Sequence, residues 1–256
     1  MTHDTWSDVD RRTPLTRAVL AQAGMELRLL VRSGESLLVT LGIPVGILVF
    51  FSVVEVLPTG DQPAVDFLVP GVLAISVGAT GLVAVSIQTA FERKYGVLKR
   101  LGGTPLPAAG FLAAKGLAVA AVLAVQVVLV VALALGALGW SPAGGALLAP
   151  VVVLLGTVTM TSIGLLLAGT LRAEATLAMS NALFVVLLVV SGVTFDASAL
   201  PTWLATVGRV LPVGAIGEAL RVAFAGDGVA VGSVLAIVGW GAAALLVATR
   251  TFRWEP

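Results

Sequence analysis

Cysteine is absent from the sequence, and histidine and tyrosine occur once each. Without cysteine, disulfides, thiolate metal sites and thiol catalysis are excluded. The single histidine, His3, lies in a polar tail without the companion ligands a zinc site needs, so no metal site is expected. A Ser/His/Asp triad is excluded on the same ground. Charge is scarce as well: 11% of residues are charged and 58% are apolar, against roughly 25% and 45–50% in soluble domains. Mean hydropathy is +1.07. So little polar surface cannot coat a water-soluble globule, and lipid must be the solvent for most of the chain. No Gly-x-x-x-x-Gly-Lys-[Ser/Thr] stretch occurs, so the chain does not bind ATP through a P-loop, and no cofactor is expected on it. Paired carboxylates inside the apolar runs are missing too. Glu55 is the one acid clearly within a span, near its outer end, which argues against a proton relay.

What is present is long apolar sequence. Six segments reach the roughly 20 apolar residues a bilayer-crossing helix needs: 36–57, 67–90, 116–138, 146–168, 175–195 and 229–249. In lipid the backbone must satisfy its own hydrogen bonds, and these runs are continuous rather than alternating. Helices are therefore predicted, and a β-barrel is not. The expected fold is all-α, with six transmembrane helices. Lys and Arg partition unevenly between the two sets of flanks. Thirteen fall in the N-terminal segment, the 91–115 loop, Arg172 and the tail, whereas only Arg209 and Arg221 fall on the other side. The positive-inside rule then puts both termini in the cytoplasm. Three lysines against twelve arginines, with abundant Ala, Val and Gly, suggest a GC-rich bacterial genome and an inner-membrane location. The first 35 residues carry Arg11, Arg12, Arg17, Glu26, Arg28, Arg32 and Glu35. No uninterrupted apolar core breaks that run of charges, so no cleavable signal peptide is expected. The net charge of +1 gives no reason to expect nucleic acid.

Before the first span, Thr13 and Pro14 read as an N-cap followed by proline at the first helical position. Leu15, Val19, Ala23, Leu27 and Leu30 share one arc of a helix, and Arg17, Arg28 and Arg32 lie opposite. Glu26 falls inside the apolar arc, so the amphipathicity is imperfect. The pattern fits a helix lying along the cytoplasmic interface, or a plain basic juxtamembrane anchor.

The polar loop opens with Phe91-Glu92-Arg93-Lys94-Tyr95-Gly96-Val97-Leu98-Lys99-Arg100-Leu101-Gly102-Gly103-Thr104-Pro105. Phe91, Tyr95 and Leu98 recur at i, i+4 and i+7, which predicts a short helix with an apolar stripe. Glu92, Arg93, Lys94, Lys99 and Arg100 cover its remaining surface. Gly102 and Gly103 stop that helix, and Thr104-Pro105 starts another that runs along the interface to Lys115. Such a stripe fits a groove in another protein. It equally fits an interfacial helix whose aromatic rings anchor in headgroups.

Residues 196–228 form the longest outer connection, yet they are apolar. Pro201 and Pro212 divide them into two helix-compatible pieces, each too short to cross the bilayer. These read as re-entrant or interfacial helices packed against protein. Glu218 and Arg221, three apart, can pair on one face, either as a matched pair at the membrane or as a surface pair of little consequence. Gln88, Gln126, Thr157, Thr159, Thr161, Ser162, Ser180 and Asn181 are the mid-membrane polar residues. They can glue helices together or line a path. Gly42 and Gly46 form a Gly-x-x-x-Gly close-packing motif in the first span.

Two segments together resemble the type 2 ABC-transporter permeases, the family that includes the daunorubicin-resistance membrane subunits. The 91–105 stretch is similar to that family's acidic-basic segment ending in Thr-Pro after the second span. Ser191-Gly192, Pro201-x-Trp203-Leu204, Pro212 and Glu218-Ala219-Leu220-Arg221 are similar to its signature around span five and the outer loop. The Gly102-Gly103 pair departs from the family pattern, where bulkier or polar residues are common.

The resemblance implies a permease subunit of an ABC exporter. Two permeases, as a homodimer or with a paralogue, would associate with two ABC ATPase subunits that carry ATP and Mg. Phe91, Glu92, Arg93, Lys94, Tyr95, Leu98, Lys99 and Arg100 would form the coupling helix in an ATPase groove. Ser191, Gly192, Pro201, Trp203, Pro212, Glu218 and Arg221 would belong to the outer gate. Gln88 and Asn181, on spans two and five, would lie near a path between the permeases.

The chain is thus read as a cytoplasmic tail and amphipathic helix, residues 1–35, followed by a six-span permease domain, residues 36–256. Its expected cargo is hydrophobic or amphipathic: a drug, with antibiotic resistance as the corresponding role, a lipid or a glycoconjugate. A self-sufficient secondary transporter or channel is the alternative, and a non-transporting membrane scaffold the third reading.

Overall fold

A computed structural model describes residues 14–32, 34–54, 63–104, 106–193 and 201–251. His3, Arg11, Arg12, Thr13, Glu55, Pro105 and Arg253 lie outside the described residues, as do residues 194–200. The described residues form ten helices and no strands. They are α1 Leu15–Arg32, α2 Gly34–Val53, α3 Ala64–Lys94, α4 Val97–Gly102 and α5 Ala108–Ala137. There follow α6 Leu148–Thr170, α7 Ala173–Val190, α8 Thr202–Val210, α9 Pro212–Ala225 and α10 Val231–Thr251.

Five of these, α3, α5, α6, α7 and α10, are long and apolar enough to cross a membrane. The first expected span corresponds to α2, whose apolar stretch Thr40–Val53 is shorter. Two helices overrun their predicted limits. α3 has 31 residues and α5 has 30, about 45 Å each at 1.5 Å per residue, against a hydrocarbon core of roughly 30 Å. α5 is continuous from Ala108. The separate interfacial helix expected up to Lys115 is therefore the first two turns of span three, and Lys115 lies inside the helix.

α3 is the central element, 78% buried over its most apolar window, whereas α7 and α10 are each 22% buried. Val69, Val72, Leu73 and Val77 of α3 pack with Val213, Ile216 and Leu220 of α9 and with Val152, Val153 and Met160 of α6. Midway, α3 widens into a π-helical segment, Ala79–Ala84. It faces α6 at very short range: a Cβ on Gly164 would stand 2.8 Å from the Leu82 carbonyl oxygen, and one on Gly81 2.8 Å from Met160 Cβ. Only glycine permits that approach.

α2 is held by a different device. Pro44 lies inside the helix and has no N–H to offer the carbonyl of Thr40 four residues earlier. The Gln126 side chain of α5 donates to that oxygen at 2.8 Å. Gln126 is therefore helix glue, placed where an orphaned carbonyl would otherwise face hydrocarbon. The Gly-x-x-x-Gly motif does not act within the chain, since a Cβ on Gly42 or Gly46 would meet nothing within 4 Å.

Candidate functional site

Three helices each contribute an i, i+4 pair to one buried polar knot at the basic end. α1 supplies Gln22 and Glu26, α3 supplies Gln88 and Glu92, and α5 supplies Phe111 and Lys115. This spacing stacks both members of each pair on one helix face. The Lys115 ammonium lies 2.7 Å from Glu26 Oε2 and 2.8 Å from Glu92, with Lys115 3% and Glu26 4% exposed. Gln22 Nε2 donates to Glu26 at 2.9 Å. Gln88 Nε2 donates to Glu92 at 2.8 Å and to Glu26 at 3.3 Å. The ammonium also sits 5.7 Å from the Phe111 ring centroid. Two carboxylates against one ammonium leave the knot formally at −1; the two glutamine amides donate to the carboxylates, and the Phe111 ring faces the ammonium.

Apolar packing beside the knot seats α1 on α5. Leu98, Leu106 and Phe111 form a buried cluster with Ala18, Val19 and Leu101 against it. Val19, Gln22, Ala23 and Glu26 fall at i, i+3, i+4 and i+7, a single face. Glu26 inside the apolar arc is thus the charge that meets Lys115.

The residues after Glu92 tie the end of α3 the other way. Successive helical positions point about 100° apart, so Glu92, Arg93 and Lys94 face three neighbours. Arg93, 5% exposed, donates to the Leu171 carbonyl in the α6–α7 turn. Lys94 pairs with Glu174 in the first turn of α7. α3 is therefore fixed to α1 and α5 on one side and to the α6–α7 turn on the other.

The loop differs from the single striped helix expected over 91–101. α3 continues to Lys94, the chain turns at Tyr95-Gly96, and α4 starts at Val97. Gly96 has φ +74°, a left-handed position that suits glycine. The break scatters the stripe. Phe91 packs inward on Ala90, Ala168 and Ala173, Leu98 is fully buried, and Tyr95 is 72% exposed. Lys94, Tyr95, Val97, Lys99 and Arg100 make up the outward surface.

At the opposite end the chain turns sharply after α7. Ser191 Oγ donates to the Leu188 carbonyl at 3.0 Å and accepts from Val193 N–H at 3.3 Å, while Gly192 takes φ +64°. This turn drives Val193 between α3 and α9: Cβ atoms on Gly71 and Gly217 would stand 3.0 Å from its carbonyl and 2.8 Å from its side chain. α8 and α9 then cross with backbone contact. A Cβ on Gly214 would lie 2.0 Å from the Gly208 oxygen, and one on Gly208 2.0 Å from the Val190 oxygen. Pro212 occupies the first turn of α9. Arg221 donates to Glu218 at 3.2 Å and stacks 5.7 Å from the Phe67 ring centroid.

Residues 18–225 match the family model for ABC-2 type transporters. That span covers most of α1, the basic knot, the loop and the corner at the opposite end. The chain belongs to the ABC-2 type transporter family. No curated protein matches the chain.

Within this ABC-2 protein the sequence-selected residues separate into several places. Glu92, Arg93 and Lys94 end α3, and Tyr95, Lys99 and Arg100 face outward with Phe91 and Leu98 turned in. Ser191, Gly192, Pro212, Glu218 and Arg221 gather at the corner opposite the basic end. Pro201 and Trp203 belong to the exposed side of α8, Trp203 being 69% exposed. Gln88 belongs to the basic knot, and Asn181 lies on the exposed face of α7, its amide bonded to the Leu177 carbonyl at 2.8 Å. In the sequence the knot's central residue, Lys115, reads only as a flanking charge. Its signal was Glu26, an acid in an apolar arc that requires a buried partner.

Proposed function

We propose that the chain is the permease subunit of an ATP-driven exporter, taking work from a separate ABC ATPase through the basic end of α3. The observation that carries this reading is the Glu26–Lys115–Glu92 knot. A contact made at Tyr95, Val97, Lys99 and Arg100 acts on α4, and α4 is seated by Leu98 on the same cluster that holds α1 and α5. Glu92 and Arg93 join that seat to α3. A push on the loop therefore moves α1, α3 and α5 as one body.

The thirteen-to-two split of Lys and Arg puts this end in the cytoplasm, where an ATPase bearing ATP and Mg acts. Two permeases and two ATPases form the working assembly, in a bacterial inner membrane. α7 supports the pairing: it leaves Leu177, Met179, Val185, Val186 and Val189 exposed, with Asn181 among them. The cargo is hydrophobic or amphipathic, in keeping with apolar spans.

The test is co-purification with the cognate ATPase subunit from detergent. Tyr95→Glu, Lys99→Glu and Arg100→Glu together should abolish association while leaving the permease's own elution unchanged, because all three side chains face outward. Retained association refutes the docking surface. Uphill accumulation of a compound by vesicles holding this chain alone, without nucleotide, refutes the exporter reading.

A further inference from the structure

The outer end carries a second polar feature that the coupling reading does not use. A pocket of about 370 Å³ opens between the start of α3, the turn after α5 and the end of α9, lined by Asp66, Phe67, Trp140, Ser141, Arg221 and Phe224 among others. That volume lies within the range of small-ligand sites. Its walls are fixed. Trp140 is 4% exposed and meets Phe224 edge-on, centroids 4.9 Å apart. Gly144 N–H donates to the Phe224 carbonyl at 3.1 Å, and a Cβ on Gly144 would stand 2.9 Å from Gly226 Cα.

Two opposite charges line this pocket without neutralising each other. Glu218 engages Nε and Nη2 of Arg221, while Nη1 is buried with no hydrogen-bond partner. A buried guanidinium N–H without an acceptor is costly, and an incoming oxygen would satisfy it. The side chain is 26% exposed and lines the pocket. Asp66 is exposed and has no ion-pair partner among the described residues. A simple anion would meet Asp66, and a simple cation would meet Arg221. A ligand carrying both charges satisfies both groups.

We propose that this pocket binds a zwitterion with an oxyanion and an ammonium a few ångströms apart, the chemistry of an ethanolamine-phosphate headgroup. Arg221 takes the oxyanion through its fork, and Asp66 takes the ammonium. Phe67 and Phe224 flank the carbon chain between them. The site is independent of the exporter reading.

The test uses the purified full chain in detergent, with native mass spectrometry of bound lipid from an equal mixture of dihexanoyl-phosphatidylethanolamine and dihexanoyl-phosphatidylglycerol. The ethanolamine lipid should be preferred about tenfold, the effect of one charge-assisted contact. Asp66→Asn, at an exposed side chain that leaves the fold intact, should bring the preference to about one. Arg221→Gln should weaken both lipids. Excess O-phosphoethanolamine separates the sources: displacement supports a soluble zwitterion as ligand, and retention supports a lipid held partly by its chains. Equal binding of both lipids to the wild-type chain, or an unchanged preference in Asp66→Asn, overturns the proposal.

Discussion

Lys115→Met places the heaviest demand on the coupling reading. Lys115 is 3% exposed and holds Glu26 and Glu92 at 2.7 and 2.8 Å. Removing one partner of a buried ion pair costs about 3–5 kcal/mol, because the other charge is left uncompensated. Here two carboxylates are left, but Gln22 and Gln88 still donate to them, which argues for the lower end, about 3 kcal/mol. At 1.36 kcal/mol per factor of ten this is roughly a 150-fold shift toward undocked α1. The spans themselves keep their packing, so the loss is local. Hydrogen exchange on the purified protein should show the amides of α1 losing about two orders of magnitude of protection, with those of α6 and α9 unchanged. The neutral triple variant Glu26→Gln, Glu92→Gln, Lys115→Met should recover most of that protection, since a buried ion cluster replaced by uncharged groups is often near neutral. Unchanged α1 protection in Lys115→Met, or no recovery in the triple variant, refutes the view that the knot seats α1.

Two further outcomes test how the spans are held. Gln126→Leu removes the donor to the Thr40 carbonyl and should cost about 1–3 kcal/mol as a lower thermal midpoint. Adding Pro44→Ala supplies the missing N–H and should restore it, and a double variant as unstable as the single one refutes the pairing. Gly214→Ala forces a Cβ to within 2.0 Å of the Gly208 oxygen, so overpacking beyond the usual 1–3 kcal/mol should prevent a monodisperse elution peak. Gly42→Ala, into open space, should elute as wild type.

The spans were legible because hydrocarbon forces long apolar runs, and α8 and α9 because Pro201 and Pro212 divide a run too short to cross twice. Boundaries at α3 and α5 were less so. Charged residues read as helix ends, yet Glu92 and Lys115 satisfy one another, so both helices continue through them. The loop stripe of Phe91, Tyr95 and Leu98 was real as spacing but failed as a surface. Gly96 in the left-handed region resets the helical phase between the second and third members, sending Leu98 inward. The knot joins residues 26, 92 and 115 across long sequence separations, and each charge alone reads as an anchor. Only Glu26 betrayed it, by standing in the wrong arc.

The hydroxyls inside the spans bear on where cargo passes. Ser76, Thr157 and Ser162 donate to the carbonyl four residues earlier in their own helices. Thr159 bonds across to the Ile237 carbonyl at 2.9 Å, joining α6 to α10. A hydroxyl bonded to a backbone oxygen offers a passing solute little. The core around α3 is close-packed through Gly81 and Gly164, whereas an apolar pocket of about 450 Å³ opens between α5, α6 and α10. The α3–α6 contact therefore offers poor material for a path. The faces left over are those in lipid, and α7, exposed along much of its length and carrying Asn181, is one of them. A second copy laid against α7 would enclose that face, in keeping with the proposed path between two permeases.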